Sequence, residues 1–180
     1  MRTVMISLLL ITIASPVLGN AEVLDSAAHG FTSQHKVVLE ATPAAAYTAL
    51  TEDVHLWWDA EHSYGGQARA FSLDASAGGC FCESLGDAGS VEHMRIVNVQ
   101  AGKSLTMQGG LGPLQGMGVA GSMTFVFQPH ESGSELTYRY VVGGYYAGGL
   151  DSLAESVDQV QLAQLLRLQR YLANGRPPNR

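Results

Sequence analysis

The sequence is short of charge, of cysteine and of long apolar runs, and each shortage excludes something. Only 14% of its 180 residues are charged, with 10 Lys or Arg against 16 Asp or Glu. No basic run occurs anywhere in the chain. Nucleic acid binding needs a basic footprint, and an anionic membrane surface needs Lys/Arg clusters, so neither partner is expected. There are two cysteines, Cys80 and Cys82. A domain near 150 residues buries roughly 68–70% of its unfolded surface, so the core needs no external staple. The chain also lacks a Gly-x-Ser-x-Gly elbow, a phosphate loop and a dinucleotide fingerprint. No cofactor is expected.

The one sustained apolar run, Val4 to Ala14, is too short for the ~20 residues of a spanning helix. Arg2 precedes it, Pro16 ends it, and Gly19-Asn20-Ala21 sets small residues at −3 and −1 of a cut. A positive start, a short apolar core and a small-x-small site are the parts of a secretory signal. The sequence therefore predicts a signal peptide over 1–21, cleaved near Ala21, with a cut after Gly19 as the alternative. It predicts a periplasmic or secreted protein with no stable membrane anchor after cleavage.

The remainder reads as one domain over 31–173, with a lead-in at 22–30 and a flexible tail at 174–180. Phe31 to Ala41 alternates as a strand. Thr42-Pro43 is an N-cap with Pro at the first helical position, opening a helix over Ala44 to Leu50. Thr51 is expected to cap a second short helix. Strand segments separated by Gly-rich turns then run to Val142. Past Gly149 the period changes, and Leu153, Val157, Val160, Leu165, Leu168 and Leu172 recur at helical spacing up to Asn174-Gly175. A long one-sided helix must bury its stripe, and the sheet is the large surface on offer. The expected fold is α+β: an antiparallel sheet around a long C-terminal helix, with two short helices after the first strand and room for a gap between layers.

That order is the helix-grip order, and the residues extend the likeness. Val38-Leu39-Glu40-Ala41-Thr42-Pro43-Ala44, Ala49-Leu50-Thr51, Trp57-Trp58, Gly78-Gly79-Cys80-Phe81, Gly143-Gly144-Tyr145 and Leu153-Ala154 resemble the SRPBCC or START-like superfamily, in its polyketide cyclase and heat-shock-protein-90 ATPase activator branch. The resemblance spans about residues 31–173. It implies a cavity under the long helix that takes a small hydrophobic molecule such as a lipid, sterol or polyketide, and it carries over no catalytic residue.

The sharpest local feature is Cys80-Phe81-Cys82-Glu83 followed by Val91-Glu92-His93. Residues two apart share a face of a strand. A four-residue hairpin loop at Gly86 to Gly89 would set Cys82 opposite His93 and Cys80 opposite Arg95. Three readings stay open: soft packing in a cavity wall, a disulfide favoured by export but needing local strand distortion, or a metal site. A fourth metal ligand would come from His55, His62, Glu83 or water. Elsewhere, Trp57, Trp58, His62 and Tyr64 either pack under the helix–sheet junction or cap a cavity mouth, with at least one of the adjacent Trp expected at a rim. The loop Gly109 to Gly121, with Met107, Leu111, Leu114 and Met117, reads either as a gate to a pocket or as a plain connector tucked over the sheet edge. Tyr138, Tyr140, Tyr145 and Tyr146 cluster near the end of the last strand. The expected ligand-binding set is Trp57, Trp58, Cys80, Cys82, His93, Arg95 and Met117, with Phe125, Tyr138, Tyr140, Val157, Val160 and Leu168. If there is catalysis of the cyclase or dehydratase type, His93 with Glu83 or Glu92 would carry it; binding without catalysis is the favoured reading.

Overall fold

The computed structural model describes residues 22–175. The leader assigned to 1–21 and the tail beyond Gly175 lie outside the described residues. Eight strands form one antiparallel sheet: β1 Val23–Ala27, β2 Gly30–Leu39, β3 Phe71–Leu73, β4 Cys80–Ser84, β5 Ser90–Gln100, β6 Ser104–Gly109, β7 Val119–His130 and β8 Gly133–Gly144. Their order across the sheet is β1-β2-β8-β7-β6-β5-β4-β3. Three helices complete the fold: α1 Pro43–Thr51, α2 Val54–Trp57 and α3 Asp151–Asn174. The sheet grips α3 along one face, which is the helix-grip arrangement. No described helix is long and apolar enough to cross a membrane.

Local chemistry sets the element ends. The Thr42 hydroxyl accepts from the Ala45 amide at 3.3 Å, with Pro43 at the start of α1. At the far end Gly175 takes the left-handed conformation at φ 60°, and its amide closes on the Tyr171 carbonyl. Along β8, Leu136, Tyr138, Tyr140 and Val142 alternate inward and are buried. Gly121 in β7 makes room for one of them: a Cβ there would lie 2.5 Å from the Tyr140 ring.

Three expectations are corrected. Val23–Ala27, read as part of a lead-in, is the edge strand β1, so the two short helices follow the second strand. Its residues are mostly exposed and carry no alternation, which is why the pattern hid it. Thr51 ends α1 instead of capping α2, and its hydroxyl turns back to the Tyr47 carbonyl. The face of α3 turned to the sheet is not wholly apolar: Asp158, Gln161 and Gln164 are buried beside Ala154, Leu165 and Leu168. Leu153, Val157 and Val160 are half-buried on the flank. Polar residues survive inside α3 because partners across the gap meet two of them. Asp158 faces His35, and the Gln164 amide oxygen accepts from the Asp59 amide.

Candidate functional site

Between α3 and the β3–β5 side of the sheet lies a cavity of about 460 Å³. Its apolar walls come from Leu153, Val157 and Val160 of α3, from Trp58 after α2, and from Leu111, Pro113, Leu114 and Met117 of the loop between β6 and β7. Glu61, His62, Ser63, Tyr64, His93, Ser156 and Gln161 supply the polar part of the lining. A second void of about 20 Å³ lies deeper, against Phe125, Tyr138, Trp57 and Gln164, and shares Trp58, Leu111 and Gln161 with the larger one. The Tyr138 hydroxyl and the Gln164 amide nitrogen at this inner end are buried without a hydrogen-bond partner.

Both tryptophans are buried, against the expectation that one sits at a rim. The helix α2 ends at Trp57, and Trp58 turns extended at φ −58°, ψ 146°. Consecutive side chains no longer diverge by the 100° of a helix, so both reach inward. The turn is held from α3: the Arg167 guanidinium donates to the Trp57 carbonyl at 2.8 Å and pairs with Asp59 at 3.4 Å. The indole N–H groups donate to the Ala49 and His62 carbonyls.

His93 enters the cavity because of a bulge. Phe81 pairs with Met94, but Cys82 pairs with Glu92, so one extra residue is accommodated in β5. His93 and Met94 therefore both face inward, 3% and 1% exposed. His93 is packed among aromatic rings: Phe71, Phe81 and Tyr64 have centroids 5.1, 5.2 and 5.8 Å away. Its Nε2 lies 3.1 Å from Glu83 Oε2. Glu83 is fully buried and accepts three further bonds, from the Ser63 hydroxyl at 2.5 Å and from the Gly65 and Tyr64 amides at 2.7 and 3.1 Å. Burial pushes the Glu83 carboxyl up, but these donors and His93 together outweigh it and hold it below its usual range. Burial among the rings lowers His93, and the neighbouring carboxylate only partly offsets that. Near neutral pH the pair is thus a carboxylate beside a neutral imidazole. Glu83 takes the Nε2 proton as its hydrogen bond, which leaves Nδ1 as the acceptor of the ring.

The cysteines face the other way. Cys80 and Cys82 share the outer face of β4 with Arg95 and Glu92 of β5, and they form a disulfide across Cα atoms 5.4 Å apart. The bond spans the step at which the β4–β5 register shifts, between Phe81 and Cys82. The expected meeting of Cys82 with His93 does not occur, and neither sulfur lines the cavity. Arg95 is paired with Glu92 at 2.5 Å, outside. Cys80, Cys82 and Arg95 therefore leave the ligand set, and Glu92 leaves the acid–base candidates. Among the described residues no group of three His, Cys, Asp or Glu is gathered to hold a metal.

Of the remaining expected residues, Trp58, His93, Met117, Val157 and Val160 line the cavity, and Trp57, Phe125 and Tyr138 line the inner void. Leu168 is fully buried in the packed core, outside both. Tyr140 acts indirectly. Its hydroxyl accepts from the Leu111 amide at 3.3 Å and donates to the Gly109 carbonyl at 3.4 Å, pinning the loop that forms the outer wall. Burial pushes its phenol up to about 12. The exposed Tyr64 bridges the mouth, its hydroxyl donating to the Gly112 carbonyl at 3.1 Å. The residues missed include Glu61, Ser63 and Gly65, in an irregular turn with no periodicity, and Ser156, Gln161 and Gln164, polar positions beside an apolar stripe.

No family model and no curated protein sequence matches the chain. Solved structures do. A protein of Mesorhizobium loti superposes with a TM-score of 0.58 at 16% identity, covering 79% of this chain and 96% of that one. A protein of Rhizobium leguminosarum gives 0.60 at 17% identity, over 80% and 95%. DynU16, from the dynemicin biosynthetic locus, gives 0.59 at 18% identity, over 81% of this chain and 48% of its own length. At these identities the likeness is one of fold.

Proposed function

Starting from a helix-grip fold with an apolar cavity beside its long helix, we propose that this chain is an exported START-like protein that binds a small, mostly apolar molecule. The cavity carries the reading. Its volume, about 460 Å³, falls within the roughly 300–1,000 Å³ typical of small-molecule sites. Its lining follows the same plan of apolar walls with a few placed polar groups. The unpartnered Tyr138 hydroxyl and Gln164 amide at the inner end favour a ligand whose apolar body ends in a hydroxyl or carbonyl. The Cys80–Cys82 disulfide supports export, since such bonds persist in oxidising compartments.

The test is binding of a fluorescent fatty-acid or sterol probe, followed through Trp58, and its competition by organic extracts of the native protein. Val157→Trp, at a half-buried position of α3 that lines the cavity and borders the core, is expected to fill the cavity and weaken the probe at least tenfold with the fold retained. Unaltered affinity in that variant sinks the cavity as the site.

The His93–Glu83 pair supports a second reading, a cyclase- or dehydratase-type enzyme in which the neutral imidazole takes a proton from a bound substrate. His93→Gln then abolishes turnover of a polyketone substrate while probe binding persists. If ligand is bound but never altered by the native protein, the binding reading stands alone.

A further inference from the structure

A second buried charge cluster lies on the opposite flank of α3, and neither reading above uses it. Asp158 is fully buried in the N-terminal third of the helix. One carboxyl oxygen lies 2.7 Å from His35 Nε2, on β2. The other accepts from the backbone nitrogen of Glu22 at 3.0 Å. The Tyr138 ring stacks on His35, with centroids 6.2 Å apart, and completes the surroundings. Glu22 is held there by the sheet: its carbonyl accepts from the Gln34 amide at 3.2 Å, and Val23 pairs with Ser33. The backbone nitrogen on which Asp158 closes is the one immediately after Gly19-Asn20-Ala21, the small-x-small site of the leader.

We propose that leader removal at the Ala21–Glu22 bond creates a structural ion pair between the new amino terminus and Asp158, so that export processing itself completes the fold. The chemistry is peptide hydrolysis by a leader-removing peptidase. Water adds across the amide, Ala21 departs with the carboxylate, and the Glu22 nitrogen takes a proton to become an ammonium. Before the cut that nitrogen is a neutral amide with one N–H. After it, the same atom carries a full positive charge and three donors, 3.0 Å from the carboxylate of the fully buried Asp158. Asp158 already has His35 and one backbone N–H before the cut; the added full charge and extra donors belong to the mature chain alone, and so does the gain from them. The pair ties edge strand β1 to α3 next to Ser156 and Val157, and so steadies one wall of the cavity. A cut after Gly19 would leave an amide at Glu22 and form no such pair.

The full 180-residue chain is expressed with export, and the mature protein is weighed and sequenced from its amino terminus. The expected start is Glu22; a start at Asn20 overturns the proposal. Chains beginning at Glu22 and at Asn20 are then melted side by side. The Glu22 chain is expected to melt at least about 3 °C higher, a readable shift for a domain of this size, and equal melting overturns the proposal. Asp158→Asn is expected to erase the difference. Should that variant fail to fold, amine acylation of the unmutated Glu22 chain decides. Its terminal amine is expected to react at least about tenfold more slowly than that of the Asn20 chain, the equivalent of one unit of amine ionisation. Equal rates overturn the ion pair.

Discussion

Replacing Glu83 with Gln tests the polar heart of the cavity most directly. The native carboxylate accepts from four donors: Ser63, Tyr64, Gly65 and His93. Gln keeps the shape but exchanges one oxygen for an NH₂ group. That places donor against donor and removes the charge from every remaining bond. Hydrogen bonds to a charged group contribute about 1.5–3 kcal/mol each, and a buried donor left unmet costs about 1–3 kcal/mol. Because the four bonds share one acceptor, their losses do not add in full. An overall cost of about 3 kcal/mol is expected, equivalent to a fall in Tm of about 6–12 °C for a domain of this length. Thermal melting by circular dichroism, repeated from pH 8 to pH 4, measures it. The sign of the pH dependence follows from both partners. His93 and Glu83 are each depressed in the folded protein, so the unfolded chain binds more protons. The His93 contribution is complete above about pH 6.5 and fades below it as pH falls towards the folded value. The Glu83 contribution is present above about pH 4.3 and is lost as pH falls through its lowered value. Native stability should therefore drop on acidification from pH 6.5 downward, and the Glu83→Gln chain should lose the lower part of that dependence. A Tm within 2 °C of native, or unchanged pH dependence, would refute the argument.

Two further outcomes separate the outer face and the core from the cavity. Cys80→Ser with Cys82→Ser removes a disulfide that closes a very short loop. The chain-entropy cost is about 1.5 kcal/mol, or roughly 3–6 °C in Tm, and probe affinity should be unchanged because the sulfurs lie on the other face of β4; a tenfold loss of affinity would contradict that placement. Leu168→Ala leaves a hole under a fully buried side chain and should cost about 2–5 kcal/mol in denaturant unfolding with ligand selectivity retained; a shift in selectivity would mean that Leu168 reaches the ligand.

Several of these residues could be placed from the chain alone because their placement is local. The Thr42-Pro43 cap and the Gly175 stop are decided within one helical turn. The inward run Leu136, Tyr138, Tyr140, Val142 follows from the two-residue period of a strand. The change to helical spacing after Gly149 announces α3, and the order of these elements leads to the helix-grip fold. Met117, Val157 and Val160 were legible as cavity residues for the same reason: apolar side chains on a loop and a helix flank that had to face something.

What the chain alone could not decide turns on single-residue shifts and on partners distant in sequence. Cys80 lies opposite Arg95, and Phe81 shares a face with Met94, as expected, but one extra residue in β5 against the Phe81–Cys82 step takes His93 off the cysteine face. His93 goes into the cavity with Glu83, and the two cysteines go out with Arg95. A register slip of one flips every side chain beyond it, and no local signal in Val91-Glu92-His93 reports it. Nothing in the helical period marks Asp158 and Gln164 as buried; His35, 123 residues away from Asp158, and the Asp59 amide meet them only in the folded chain. The sequence by itself determined most of the elements and their order, the edge strand β1 excepted, because those are settled by short-range periodicity and caps. The tertiary structure alone decided which polar groups are buried together, because burying a charge depends on a partner that only the folded chain brings within 3 Å.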